Sequence, residues 1–166
     1  RHYIDKKVDK SLLDEMLSAA NLAPSWKNSQ TPRLYVATGE KSKNAVREAL
    51  PEFNRKNSEN ASAYIVTTVV LNRSGFDKDG TAVTEIGNGW GYYDLGLNNM
   101  ALLLKATELG ISTLVMGIRD GEKLREKFDI PETEAVVSVI AVGYTDSEIV
   151  RPKRKSVEDF AKFYED

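Results

Sequence analysis

The chain has 166 residues, 23 basic against 25 acidic side chains, 41% apolar residues and no cysteine. A chain this long buries roughly 70% of the surface it exposes when unfolded, so a single domain spanning 1–166 can hold a core without disulfides or metal. Without thiols, disulfide frameworks, iron–sulfur clusters, zinc thiolate sites and cysteine nucleophiles are excluded; with His2 the sole histidine, so is a multi-histidine metal site, and a Ser-His-Asp triad is disfavoured.

Leu12, Leu13, Met16, Leu17 and Ala20 recur at helical spacing behind Asp9. This predicts a first helix with Asp9 as its N-cap, finished before Pro24. Residues 23–32 are bracketed by prolines and rich in amides and hydroxyls, which predicts an ordered loop. A strand is expected over 33–38, then a helix over 40–50 that stops at Pro51. The β-branched run 63–71 fits a strand covered on both faces. Residues 72–88 mix charges, glycines and small polar groups without a period, as in a long connection or flap. A long central helix is expected over 90–109, closed by Gly110. A short strand (112–116), a helix capped by Asp120 through about Lys127 and a buried strand (135–142) follow, so that helices and strands alternate in the α/β manner. Ser156 with Asp159 three residues on resembles a capping box and predicts a short C-terminal helix.

The longest apolar stretches fall well short of the roughly 20 residues that cross a bilayer, and no signal peptide is visible, so the expectation is a soluble, cytoplasmic protein with no membrane partner. A net charge of −2 argues against general nucleic-acid binding. Arg151, Lys153, Arg154 and Lys155 form a local basic site suited to a small anion.

Ser25, Asn28 and Gln30 place a hydroxyl and two amides close together. Amides both donate and accept, which matches the mixed edge of a heterocycle, whereas a phosphate needs donors alone. The alternative is an ordinary turn whose side chains satisfy local backbone groups. Basic residues near both ends, Arg1 and His2 at the start and Lys153 and Arg154 after the last core strand, could converge on one dianion or form a solvated charge run. Met116, Gly117 and Ile118 end a strand where a glycine lets backbone N–H groups approach a phosphate. No G-x-G-x-x-G or P-loop pattern is present. Trp90, Tyr92 and Tyr93 could line an aromatic pocket or pack the start of the long helix, and Asp94 reads as a first-turn carboxylate complementing the helix dipole.

Taken together these segments resemble the FMN-dependent nitroreductases, in particular the short members. Ala23, Pro24, Ser25, Asn28 and Gln30 match the signature A-P-S-x-x-N-x-Q, and further likeness lies in 93–103, 108–111, 130–131 and 139–144. The resemblance implies an α+β fold: a three-layer sandwich with a central, mainly antiparallel sheet flanked by helices. It also implies an intertwined homodimer with FMN at the subunit interface. Arg1 corresponds to a phosphate-holding arginine, with His2 and Tyr3 beside it. Ser25, Asn28 and Gln30 correspond to contacts with the ribityl chain and ring, and Asn54 to an amide-bearing flavin contact. Met116, Gly117 and Ile118 lie where backbone approaches the flavin, and Lys153 and Arg154 correspond to further phosphate contacts. Tyr3 stands where a serine is usual, Asp5 where a basic residue often contributes, and Thr31 and Pro32 where Pro-Trp is common. Asp5 is therefore expected to face away from the phosphate or to pair with a neighbour.

The implied activity is hydride transfer from NADH or NADPH through FMN to a small acceptor, nitroaromatic or quinone-like, by a ping-pong cycle with no obligatory side-chain acid or base. Alternatives are a flavin-binding dimer that stores, senses or delivers FMN, a flavoenzyme of the same fold with other chemistry, and a cofactor-free ligand-binding domain.

Overall fold

The structure, a computed structural model, describes residues 2–148 and 150–165. The first helix, α1 (Lys10–Asn21), starts behind Asp9, whose side chain makes no capping bond. A single 3-10 turn (Trp26–Asn28) lies inside the 23–32 loop and leads to β1 (Pro32–Ala37). The expected helix over 40–50 ends early, as α2 (Glu40–Glu48), and Pro51 then serves as N-cap of an unexpected second helix, α3 (Glu52–Asn57). Proline stops a helix because it lacks an N–H, and for the same reason it suits the start of the next one.

The remaining elements are β2 (Ala63–Val70), α4 (Gly89–Glu108), β3 (Ser112–Met116), α5 (Gly121–Phe128), β4 (Glu134–Gly143) and the short α6 (Val157–Phe160). At the end of α4, Gly110 takes φ +70°, and the N–H groups of Gly110 and Ile111 bond back to Thr107 O and Ala106 O. This Schellman motif needs a left-handed residue, which glycine supplies without a Cβ penalty. Asp120 caps α5 through its side chain, which accepts from Lys123 N at 3.0 Å.

The strands form one sheet in the order β1-β2-β4-β3, and every pairing is antiparallel. Alternation of helices and strands along the chain thus produces no parallel βαβ unit between neighbours. Helices cover both faces. Tyr64, Val66, Val139 and Ala141 point to the side holding Val46 of α2 and Leu124 of α5, whereas Ala63, Ile65, Ile140 and Val142 point to Leu13 and Met16 of α1 and Leu102 and Ala106 of α4. The result is a three-layer α+β sandwich, and the largely β-branched run of β2 is buried on both sides as its composition requires.

One irregularity sets the register. Thr67 pairs with Ser138 but Thr68 with Val136, so Val137 is an extra residue in β4. Such a bulge reverses the in-out parity of a strand. Val136 and Val139, three apart, consequently enter the same core layer. At the far end of β4, a Cβ on Gly143 would lie 2.7 Å from Tyr3 Cδ1 and 3.3 Å from Ser62 N, so only glycine lets the N-terminal segment close over the sheet. There Ile4 bridges Tyr144.

The body ends at about Thr145. From Asp146 to Glu165 every described residue is exposed except the half-buried Ala161. No helix among the described residues is long and apolar enough to cross a membrane.

Candidate functional site

The loop after α1 is built from an unusual backbone. Lys27, Asn28 and Gln30 have φ of 45°, 54° and 50°, the left-handed region that L-residues enter at a cost. Such strain persists only where the surroundings over-determine it, and it concentrates at functional sites. Inside the loop Ser25 Oγ accepts from Gln30 N at 3.0 Å and Gln30 Nε2 donates to Asn28 Oδ1 at 3.2 Å. The structure therefore brings Ser25, Asn28 and Gln30 together. Asn28 Nδ2 and Gln30 Oε1 bond no described residue, which leaves one donor and one acceptor facing outward.

The loop is fastened to α4 by Asp94. Both carboxylate oxygens lie 3.1 Å from Trp26 N, and Oδ2 accepts from Ser74 Oγ at 2.6 Å and, more distantly, from Ser29 Oγ at 3.5 Å. Asp94 is 3% exposed. Because α4 begins at Gly89, Asp94 belongs to its second turn and its bonds run to two loops, so it is not the first-turn dipole partner expected from the sequence. The available signal was an acidic residue within the largely apolar run of the long helix, one position before Leu95. Ser74, equally engaged and buried, carried no comparable signal.

Aromatic groups pack beside this anchor. Trp26 and Trp90 lie 4.8 Å apart between ring centroids, and Tyr93 meets Trp90 edge-on at 5.9 Å. Trp90 donates its indole N–H to Thr84 at 2.8 Å, which makes it a fastener of the 72–88 connection. Tyr92 and Tyr93 are exposed.

A second group of expected site residues lies on the opposite layer. Asn54, buried in α3, donates from Nδ2 to Ile118 O at 2.9 Å and so braces the turn that follows β3. Met116 is buried, Ile118 is exposed, and a Cβ placed on the intervening Gly117 would meet nothing within 4 Å. The backbone there borders open space of the kind a planar ligand can approach.

Among the described residues, those expected to meet a phosphate make no bond to one another. Arg1 lies outside the described residues. His2 is exposed, with Nδ1 3.7 Å from Asp146 Oδ1. Tyr3 is committed to the core: its hydroxyl donates to Ala141 O at 3.2 Å, and burial, with a smaller effect of Tyr64, pushes its pKa well above the ordinary phenol value. Only its backbone is left to face an anion. Asp5 is exposed and forms no ion pair among the described residues; it lines a cavity of about 690 Å³ with Lys6, Lys7, Lys43 and Arg47. Lys153 and Arg154 lie on the exposed arm, and the only hydrogen bond of Arg154 among the described residues runs to Pro152 O at 3.4 Å. No group of three or more potential metal-ligating side chains occurs among the described residues.

Comparison with known proteins places the chain in a family. The model of the nitroreductase family matches residues 1–144. A proposed NADH dehydrogenase/NAD(P)H nitroreductase of Archaeoglobus fulgidus is 27% identical over 155 residues, covering 89% of this chain and 80% of the relative. A solved oxidoreductase containing FMN superposes with a TM-score of 0.75 at 25% identity, over 89% of this chain and 72% of that one. An enone reductase of gut-bacterial fatty acid saturation superposes more closely, with a TM-score of 0.84 at 20% identity over 98% and 91% of the two chains, a likeness of fold. With the match running through every strand of the sheet and both halves of the candidate site, the chain belongs to the nitroreductase family.

Proposed function

We propose that this protein is an FMN-dependent NAD(P)H oxidoreductase that reduces nitroaromatic or quinone-like acceptors by ping-pong hydride transfer. The observation that carries the reading is the strained 25–30 loop, which keeps Asn28 Nδ2 and Gln30 Oε1 unbonded to any described residue and so offers a donor beside an acceptor. That pairing suits the edge of an isoalloxazine ring. Family membership supports the oxidoreductase class, and the FMN-containing relative supports the choice of flavin.

The residues present fit the group. Ser25, Asn28 and Gln30 would hold the ring and ribityl chain, and the backbone at Met116–Ile118, braced by Asn54, would border the ring beside the open space at Gly117. Arg1, His2, the Tyr3 backbone, Lys153 and Arg154 would supply the phosphate end, where fixed guanidinium groups give paired, charge-assisted bonds. Bound FMN would supply the redox chemistry, taking a hydride from NADH or NADPH and returning two electrons to an acceptor. The protein's own part is to bind, orient and exclude water, so no side chain is assigned as a catalytic residue.

The same geometry supports a homodimer. The 25–30 loop sits with α4 on one layer and the Asn54–Ile118 pair lies among α3 and α5 on the other, so a flavin that touches both sets draws them from two copies. Tyr93, Leu97, Met100 and Leu104 form a stripe of apolar residues on α4 at spacings of four, three and four, and all but Leu97 are exposed. That is the spacing of a helix-pairing seam. Val157, Phe160, Phe163 and Tyr164 on the exposed arm add apolar surface that its own protomer leaves uncovered.

The visible spectrum of the purified protein tests this reading. A yellow protein whose 450 nm band bleaches within seconds of anaerobic NADH or NADPH and returns with a nitroaromatic or quinone supports it. A flavin that stays oxidised for many minutes points instead to storage or delivery of FMN, and product analysis separates nitro or quinone reduction from other flavin chemistry.

A further inference from the structure

Resting on the reading that FMN binds against the 25–30 loop, we propose that Asp94 is a positioning residue: its buried carboxylate clamps that loop to the 72–88 connection and thereby sets how Ser25, Asn28 and Gln30 meet the flavin. A carboxylate removed from water is costly unless it is paired or fully hydrogen-bonded, and Asp94 has no ion pair among the described residues. Its stabilisation comes wholly from donors: Trp26 N, Ser74 Oγ and Ser29 Oγ.

The placement of those donors shows what the carboxylate does. Trp26 immediately precedes the left-handed pair Lys27 and Asn28, and Ser29 separates that pair from left-handed Gln30, so Asp94 grips the strained stretch at its start and in its middle. Ser74, fully buried, donates to the same oxygen Oδ2 and joins the 72–88 connection to that point. Packing alone does not fix the loop. Between it and α4 lies a polar cavity of about 90 Å³ lined by Ser25, Gln30, Asp94 and Asn98, among others. The loop thus has room to shift inward once the clamp opens. An amide replaces the acid only imperfectly: its single oxygen can still accept from Trp26 N, but the serine hydroxyl facing its nitrogen must turn from donor to acceptor, and the charge that strengthens all three bonds is lost.

The test compares Asp94→Asn with the milder Ser74→Ala, using FMN and riboflavin as probes. Lys27 lies in the strained stretch with an exposed side chain, so trypsin cleavage after Lys27 in flavin-free protein reads the loop directly. Emission from Trp26 and Trp90, the only two tryptophans, reads their stacking. Both variants are expected to speed cleavage after Lys27 and shift the tryptophan emission. They should weaken FMN and riboflavin by the same factor, about tenfold, the scale of one charge-assisted hydrogen bond, because the loss is at the ring and not the phosphate. The midpoint potential of the bound flavin should move as well.

If the variants lower Tm but leave Lys27 cleavage, the binding of both flavins and the potential at wild-type values, Asp94 is merely structural and the proposal is overturned. Should Asp94→Asn fail to fold, Ser74→Ala decides by the same readouts. A wild type that binds neither flavin, with cleavage after Lys27 still accelerated in the variants, overturns the FMN reading while the clamp stands. A wild type that binds both, with variants that bind as tightly and stay protected at Lys27, overturns the clamp while the FMN reading stands.

Discussion

The body of the sandwich and the arm that leaves it obey opposite rules. In the body, apolar residues are sorted by strand parity into two layers and sealed by helices, so that Tyr64, Ile65, Leu102 and Ile140 have no measurable exposure. In the arm, residues of the same chemistry lie open: Phe160 is 71% exposed, Phe163 76% and Tyr164 86%. Apolar surface sealed in the body is stabilised within one protomer, whereas that of the arm, like the exposed stripe on α4, gains nothing until something else covers it. The same difference separates the two halves of the candidate site, one of them pinned by a buried carboxylate and the other open around Gly117.

Core truncation should mark the difference most strongly. Leu102→Ala removes a fully buried side chain of α4 and should destabilise the body by about 2–5 kcal/mol in urea denaturation, through lost transfer energy and the cavity left behind. An arm substitution of similar size should leave the unfolding free energy of dilute protein unchanged. A large loss from Phe163→Ala under dilute conditions would show that the arm folds onto its own protomer.

The next effect belongs to association. The double substitution Phe160→Ala and Phe163→Ala should weaken the proposed homodimer at least tenfold in sedimentation, because aromatic anchors at interfaces each contribute about 1–2 kcal/mol or more. FMN occupancy should fall with it, since the flavin is proposed to draw on both copies. Unchanged sedimentation would place the subunit contact elsewhere, with the apolar stripe of α4 as the first candidate.

A smaller effect comes from titration at the edge of the body. Tyr35 donates to Glu134 Oε2 at 3.0 Å, and burial, reinforced by that bond and the carboxylate's charge, pushes its pKa from 10.0 up to about 12. The unfolded chain loses this proton near pH 10 while the folded chain keeps it. The contribution is therefore fully present below pH 10 and is lost as the pH rises towards 12. Tyr35→Phe should flatten the fall in stability over that window without abolishing it, because Tyr3 is shifted in the same direction. Circular dichroism melts between pH 9 and 12 measure the slope.

Much of this molecule is legible in its sequence, and the illegible parts share a cause. Local signals were sufficient for α1, β2, α4, β3 and the cap of α5, where periodicity, β-branching and capping act within a few residues. They did not suffice at Pro51, because a proline that ends one helix and a proline that starts the next look alike. Nor could they reveal the bulge at Val137, which exists only as a relation between two paired strands. At the candidate site, Ser25, Asn28 and Gln30 were visible as a motif. The left-handed backbone that aims them is fixed by Asp94 and Ser74, each more than 40 residues away along the chain. Tyr3 illustrates the converse: its position suggested an anion, but Gly143 opens a slot in the core that takes its ring.

The smallest effect discriminates best. Asp159 Oδ2 accepts from Ser156 N at 3.1 Å, reinforcing the start of α6, a helix of four residues on the exposed arm. A helix so short has little stability of its own, and removing a cap residue costs about 0.5–2 kcal/mol locally. Asp159→Ala, which removes that acceptor, should accordingly leave the melting temperature of dilute protein untouched, because every residue of α6 is exposed on its own protomer. If the arm is ordered against a second copy, the same substitution must disorder it before it can bind, and the lost capping energy reappears as weaker association of a few-fold. A change in dilute melting with no change in sedimentation would assign α6 to its own body, and the contrast between body and arm would fail at the point where it is most sensitive.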